Sequence, residues 1–314
     1  MSPRRGDSLV SDPEFESYYG RPILKQPTWK EPDIPLYLFL GGLAGASAVL
    51  AEGAAASGRP TLERVARIAA TGGAAAGTVA LVHDLGRPER FLNMLRVFKP
   101  TSPLSVGSFI LAPFSALSGI AAALQMAGRF PHLRRFAGAG AAVLGPPLAT
   151  YTAALLADTA IPAWHEAHRE LPFVFAGSAA TAAGGFAMAL APMDQAGPAR
   201  RMAVAGAAIE IVAAETLRRR LGMVGEPYHE GRPGMLMKVS RTTTAVAAGA
   251  TVLVGRRSRA VSVLAGAACV AASVMTRFGI FEAGIASAKD PKYTVVPQRQ
   301  RLRQRVEQRQ SADP

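Results

Sequence analysis

Residues 84–90, Asp-Leu-Gly-Arg-Pro-Glu-Arg, close a long apolar segment with a charged run. The run continues through Phe91, Lys99-Pro100-Thr101-Ser102-Pro103 and Ser105-Val106-Gly107-Ser108 into the next apolar segment. An acid, two arginines and an ordered Pro/Gly/Ser run at the edge of apolar sequence are the parts of a built site. His83 and Asp84 carry protons that an environment can tune, and Arg87 can hold or orient the carboxylate charge. Tyr37, Ser108 and Tyr151 add hydroxyls near the ends of neighbouring apolar segments. The chemistry such a set supports is hydrogen bonding to a carbonyl coupled to proton transfer.

The elements that position these residues are long and apolar. The chain has 314 residues, and eight stretches reach the roughly 20 residues a helix needs to cross a bilayer core. They lie near 35–56, 64–84, 104–127, 136–157, 171–192, 199–217, 242–256 and 260–285. The seventh is short and begins earlier or sits tilted. Turn signals such as Ser57-Gly58-Arg59-Pro60 and Gly128-Arg129-Phe130-Pro131 separate them. Segments such as 136–157 are apolar all round, unlike the one-faced helices of a soluble bundle. The expected fold is therefore an all-α integral membrane protein of eight transmembrane helices. Its expected organisation is a polar N-terminal extension (1–34), a first bundle (35–157), a connecting loop (158–170), a second bundle (171–285) and a basic tail (286–314). The first 34 residues have no apolar core of the kind a signal peptide needs, so the first span is expected to direct insertion.

Alternating the spans across the bilayer gives each residue a side. On side A, the face holding both termini, Tyr37 begins span 1 and His83 and Asp84 end span 2. Ser105 and Ser108 open span 3 there, and Tyr151 lies in the same half of span 4. Tyr37, His83, Asp84, Arg87, Ser108 and Tyr151 can thus surround one pocket among the first four helices. Such a pocket suits a quinone: tyrosine or histidine donates to a ring carbonyl, a carboxylate or imidazole delivers protons, and apolar walls take the isoprenoid tail. The plainer reading of each tyrosine is anchoring at the membrane interface.

Glu52 lies 15 residues beyond Tyr37, roughly 22 Å along a helix, near side B. It belongs to a proton path or reaches the headgroups. Glu210, Glu215, Arg277 and Glu282 form a second polar set, read either as a structural clamp across helices or as a proton route. Gly41 and Gly45, then Gly73 and Gly77, have the spacing that lets helix backbones approach closely. The net charge of +13 marks loop ends and headgroup contacts, not nucleic acid. The tail from Lys289 is read as a solvated extension, or as a contact for anionic lipid or a partner subunit. Cys269 is the single cysteine, so the chain is expected to carry no iron–sulfur cluster of its own. Of five histidines only His83 touches a span, which argues against a haem. His165 and His168 could hold a metal but read better as a solvated turn, and no metal site is expected.

The run DLGRPERFLNMLRVFKPTSPLSVGSF (84–109) strongly resembles the polysulfide reductase/NrfD family of quinone-reactive membrane subunits. Residues 36–46, LYLFLGGLAGA, resemble that family's first span. LLADTAIPAWHEAHRELPFVFAGSAA (155–180) resembles its link between helices 4 and 5, and PYHEGRPGMLMKVSRTTT (227–244) its segment before helix 7. The resemblance runs from Trp29 to Glu282. It implies two four-helix bundles without redox cofactors, binding menaquinone or ubiquinone near one face of a bacterial inner membrane. It also implies a ferredoxin-like iron–sulfur partner that wires the quinone to a molybdopterin (Mo/W) catalytic subunit, of formate dehydrogenase-like or polysulfide/thiosulfate reductase-like type. In the family a tyrosine in span 4 and an early polar residue in span 1 contact the quinone. Tyr151 matches the former; Tyr37 stands where some relatives have histidine, and Ile34 where asparagine is found. The competing readings are a secondary transporter or ion channel and an assembly anchor with a decayed quinone site. Pro146-Pro147 interrupts only span 4, without the matching break a transporter shows in its other half.

Overall fold

Prolines write most of the helix starts. Proline stands at the first or second position of the second to seventh helices, where its missing N–H leaves no bond unmade. Ser102 caps one of these starts and Ser258 a further one, accepting from the N–H of Ser105 and Val261. Gly128 ends one helix with φ of 64°. In a computed structural model, which describes residues 24, 25 and 27–312, ten α-helices follow. They are α1 Asp33–Ala56, α2 Pro60–Asp84, α3 Pro103–Ala127, α4 Pro131–Ala157, the short α5 Pro162–Glu166, α6 Leu171–Leu190, α7 Gly197–Leu221, α8 Gly231–Leu253, α9 Arg259–Lys289 and α10 Lys292–Ala312. Tight 3-10 turns at Pro88–Leu95 and Gly222–Tyr228 complete the described chain. Residues 1–23, most of the expected N-terminal extension, lie outside the described residues.

Among the described residues, six helices are long and apolar enough to cross a membrane: α1, α2, α3, α4, α6 and α9. The expectation was eight spans. α7 and α8 have the length, at 25 and 23 residues, but not the composition. Arginines cluster at both ends of α7, and Arg232, Lys238 and Arg241 occupy the first half of α8. Those same charges hid the start of α8 in the sequence: its backbone is helical from Gly231, eleven residues ahead of the apolar run at 242. Pro146-Pro147 does not break α4, which runs through both prolines to Ala157.

α1 packs against α2 and α4, and α3 against both; α6 packs against α7 and α9, and α8 against both. α1 and α6 then meet each other, with α4 and α9 at the seam. Close approach makes this possible. A Cβ on Gly45 would collide with the Gly145 carbonyl, and one on Gly145 with that of Gly45. Gly177 with Gly206, and Gly185 with Gly266, repeat the reciprocal contact for α6–α7 and α6–α9. Gly73 is similarly tight against Leu40 and Ala44, whereas Gly41 meets nothing within 4 Å.

Side A is locked by aromatic and ionic contacts. Trp164 of α5 is fully buried, stacks on Trp29 at 5.7 Å and donates from Nε1 to the Ile280 carbonyl at 2.8 Å. Tyr228 donates to the Ala163 carbonyl at 3.0 Å, and Arg220 grips Glu170 through two bonds of 2.6 Å. Lys292 and Tyr293 of α10 both bond Glu226. The Lys292 ammonium holds the Glu226 carboxyl below the usual carboxylate range, and Glu226 raises Lys292 in turn.

Substituting Gly45→Leu is expected to abolish the monodisperse folded fraction seen by fluorescence-detected size exclusion. Gly249→Leu, on an exposed face with open space at its Cβ, is expected to leave that fraction and the melting temperature unchanged.

Candidate functional site

Tyr37 occupies the first turns of α1 and is 1% exposed. Its ring faces Gly77 of α2, and its hydroxyl has no hydrogen-bond partner among the described residues. Leaving a buried donor unmade costs about 1–3 kcal/mol. Gly41, one turn further along the same face, is buried yet has open space where a side chain would begin. Tyr151 of α4 is 9% exposed, and its ring fills the position of a side chain at Gly107, so residue 107 has no room for a larger residue. The two tyrosines belong to one apolar cluster with Leu81, Leu111, Phe114 and Leu148. Ser108 is buried, but its hydroxyl is used on its own helix, donating to the Leu104 carbonyl at 2.9 Å.

His83 and Asp84 sit at the rim of this cluster. His83 Nδ1 lies 2.8 Å from Asp33 Oδ2, with 75% of the His83 side chain exposed. Asp84 Oδ1 accepts from the Lys30 backbone N–H at 2.8 Å. Both therefore tie the end of α2 to the chain entering α1. Asp33 and Lys30 escaped the sequence reading because they lie in the polar stretch before the first apolar residue. Arg87 is exposed in extended backbone just before the 3-10 turn. The structure thus brings Tyr37 and Tyr151 into one core and His83 and Asp84 to its edge, while Arg87 stays outside.

The second polar set separates into three parts. Glu210 is buried and accepts from Thr276 Oγ1 at 2.7 Å; its other oxygen has no partner among the described residues. Arg277, 0% exposed, donates to the Phe175 carbonyl at 2.8 Å and lies 3.7 Å over the Phe175 ring, leaving Nε and Nη1 without partners. Ser240 bridges Thr276 to the Ala272 carbonyl. A cavity of about 20 Å³ beside Glu210, Ser240, Thr244 and Thr276 has room for roughly one water. It shares Ala214, Met237 and Arg241 with a larger cavity of about 250 Å³ that reaches His229, Arg218 and Lys238 on side A. Burial, then the Arg218 and Arg241 charges, pushes the His229 imidazole below its usual range. Glu215 is elsewhere, gathering Arg218 and Arg219 of its own helix and Arg241 of α8. Glu282 lies 3.4 Å from Arg232.

Glu52 is held in an ionic cluster. Its carboxylate meets Arg67 at 2.6 Å, and Arg67 also binds Glu63, which Arg134 approaches at 3.8 Å. Gly138 of α4 covers the cluster. Sequence reading missed Arg67 and Glu63 as buried residues, although their four-residue spacing on α2 was visible. His165 and His168 turn their Nδ1 atoms to the carbonyls of Ala157 and His165. No group of three or more metal-ligating side chains occurs among the described residues.

Long apolar helices held by small-residue contacts and a buried polar interior define a multi-pass helical membrane protein. Residues 26–213 match the family described as polysulphide reductase, NrfD, and the chain belongs to that family. No curated protein matches the chain. The family is one of membrane subunits of respiratory oxidoreductase complexes, associated with the quinone pool and with iron–sulfur and molybdopterin subunits. The matched residues include Tyr37, His83, Asp84, Arg87, Ser108, Tyr151 and Glu210; the segment 227–244 lies beyond them.

Arg277 and Glu210 form no ion pair, but both are buried charged groups, of α9 and α7. Removing Arg277 leaves Glu210 without that cation in the core and the Phe175 carbonyl without its donor. Arg277→Ala is expected to destabilise the protein by roughly 3–5 kcal/mol, and Glu210→Gln on that background to recover part of the loss. Thermal melts of the four proteins in one detergent check this; additive losses would separate the two groups.

Proposed function

We propose that this chain is the quinone-reactive membrane subunit of a multi-subunit respiratory oxidoreductase. The observations that carry the proposal are the buried, unpartnered hydroxyl of Tyr37 and, one turn further along α1, the open space at Gly41. A quinone headgroup fits those residues: it offers carbonyl oxygens to a donor that otherwise goes unpaired, and its flat ring suits a wall of glycine and aromatic side chains. Tyr37 and Tyr151 hold the headgroup, the former by donating a hydrogen bond. The bound quinone supplies two-electron, two-proton redox chemistry. His83, hydrogen-bonded to Asp33, and Asp84 carry protons between the headgroup and side A, and Arg87 attracts the docking partner or the carboxylate charge. Ser108, satisfied by Leu104, packs rather than donates. No group on this chain stores electrons in this reading, so they pass to a ferredoxin-like iron–sulfur subunit docked on side A and from it to a molybdopterin (Mo/W) subunit.

In this reading eight helices, α1–α4 and α6–α9, cross a bacterial inner membrane. α1–α4 form the quinone-binding bundle (35–157), and α6–α9 the second (171–285), joined by 158–170. The charges that lower the hydropathy of α7 and α8 support it, because most lie at the helix ends or are paired across helices. A proton route through the second bundle is favoured by the two adjoining cavities that run from His229 towards Glu210. Glu210 and Arg277 are its inner groups. Glu215, bound by three arginines, and Glu282, near Arg232, serve as clamps in that scheme, as does Glu52 in its cluster with Arg67.

Tyr37→Phe is expected to lower quinol kcat/KM of the assembled complex about tenfold, the value of one hydrogen bond of roughly 1.4 kcal/mol. Gly41→Val is expected to fill the open space, abolishing quinone-analogue binding without altering membrane levels. Tyr151→Phe separates a hydrogen-bonding role from packing over Gly107. Gentle-detergent pull-down with mass spectrometry identifies the partners. Unchanged quinone affinity in both Tyr37→Phe and Gly41→Val would overturn the site.

A further inference from the structure

α7 and α8 part towards side B and leave a groove of about 410 Å³. Val204, Ala205, Ala208 and Val252 line its apolar length, and Arg200, Arg201 and Arg256 close its end. The three arginines differ in how they are held. Arg200 is pinned by donating to the Met193 carbonyl at 3.2 Å and the Gly255 carbonyl at 3.5 Å. Arg201 and Arg256 are exposed and make no hydrogen bond or ion pair among the described residues. No acidic side chain lines the groove. Several guanidinium groups elsewhere are matched by acids: Arg67 by Glu52 and Glu63, Arg218 by Glu215, Arg220 by Glu170. Arg259, beside the same loop, is spent on the carbonyls ending α6.

We propose that this groove binds an anionic phospholipid, its phosphate on Arg201 and Arg256 beside Arg200 and one acyl chain along Val204, Ala208 and Val252. Charge complementarity selects the occupant. A phosphodiester accepts planar guanidinium bonds in pairs, and the uncompensated cations stand where an apolar furrow ends, which matches the order of headgroup and chain in a lipid. A zwitterionic lipid would bring its own cation into a cluster that already repels one. The proposal rests on α7 and α8 crossing the membrane and not on the quinone reading.

The test is native mass spectrometry of the full chain, titrated with phosphatidylglycerol, phosphatidylcholine or soluble glycerol phosphate. Phosphatidylglycerol is expected to bind at least tenfold more tightly than phosphatidylcholine, and glycerol phosphate not to be retained. Arg201→Gln/Arg256→Gln is expected to erase the preference for the anionic lipid. Ala208→Trp, which blocks the furrow from its exposed side, is expected to weaken binding with every arginine in place. Equal binding of both lipids, or an unchanged preference in the double variant, overturns the site; retention of glycerol phosphate makes it one for a soluble anion and overturns it too. Thiol labelling of Val204→Cys separates the two readings. A labelled cysteine means that α7 does not face lipid, whereas a protected one with no lipid preference sinks the headgroup site alone.

Discussion

The carbonyl of Gly145 lies where a side chain at residue 45 would begin, and the rest of the architecture depends on contacts of that kind. A helix can be surrounded on all sides only if its neighbours come near enough to leave no gap. α1 and α6 are those surrounded helices, and both are built largely from Gly and Ala. Dispersion between closely packed backbones then holds the helices together where the surroundings offer no hydrophobic gain. Because α1 is enclosed, whatever it carries is enclosed too. Tyr37 is buried for that reason, and the seam with α9 brings Arg277 Nη2 within 3.1 Å of the Cβ position of Gly42.

Polar side chains inside such a bundle must answer to one another. The second half answers in part: Ser178 meets Ser273 at 2.8 Å, Ser240 meets Thr276, and Thr276 meets Glu210, while Glu210 Oε2, Thr244 Oγ1 and two Arg277 nitrogens have no partner among the described residues. Arg277 spends one donor on a carbonyl and its π-face on Phe175. At the side-B edge Arg200 and Arg259 take carbonyls from residues 188–193 and from Gly255, groups that otherwise have no intrahelical donor. Acid–base pairs serve at both faces: Arg220 with Glu170 and Lys292 with Glu226 at side A, and Arg67 with Glu52 and Glu63 towards side B.

The apolar runs were legible because hydropathy reports the cost of putting a side chain into hydrocarbon. Six helices were bounded closely for that reason. α8 was shortened at its start because Arg232, Lys238 and Arg241 mask a helix whose backbone hydrogen bonds are indifferent to them. The depth of Tyr37 and Tyr151 also followed from counting along helices. Rotation did not: counting placed His83 and Asp84 at the right end of α2 but could not tell that one would turn to Asp33 and the other to the Lys30 N–H. The pairing of Arg67 with Glu52 joins residues on two helices, and spacing within either helix is silent about it.

The contrast between the halves bears on where chemistry occurs. A networked interior resists change, since moving one hydroxyl strands its partner at a cost of about 1–3 kcal/mol. The region around Glu210 is such a network, and its single-water cavity leaves room for a proton but not for an organic ring. The hydroxyl of Tyr37 belongs to no such network among the described residues. A buried donor on Tyr37 stands unpaired, and one turn along α1 a glycine leaves space open, the two features on which the proposed quinone site rests. In the proposed reading, binding there would satisfy the Tyr37 hydroxyl. The ring chemistry in that reading belongs to α1–α4, and the polar core of α6–α9 serves as scaffold or proton path.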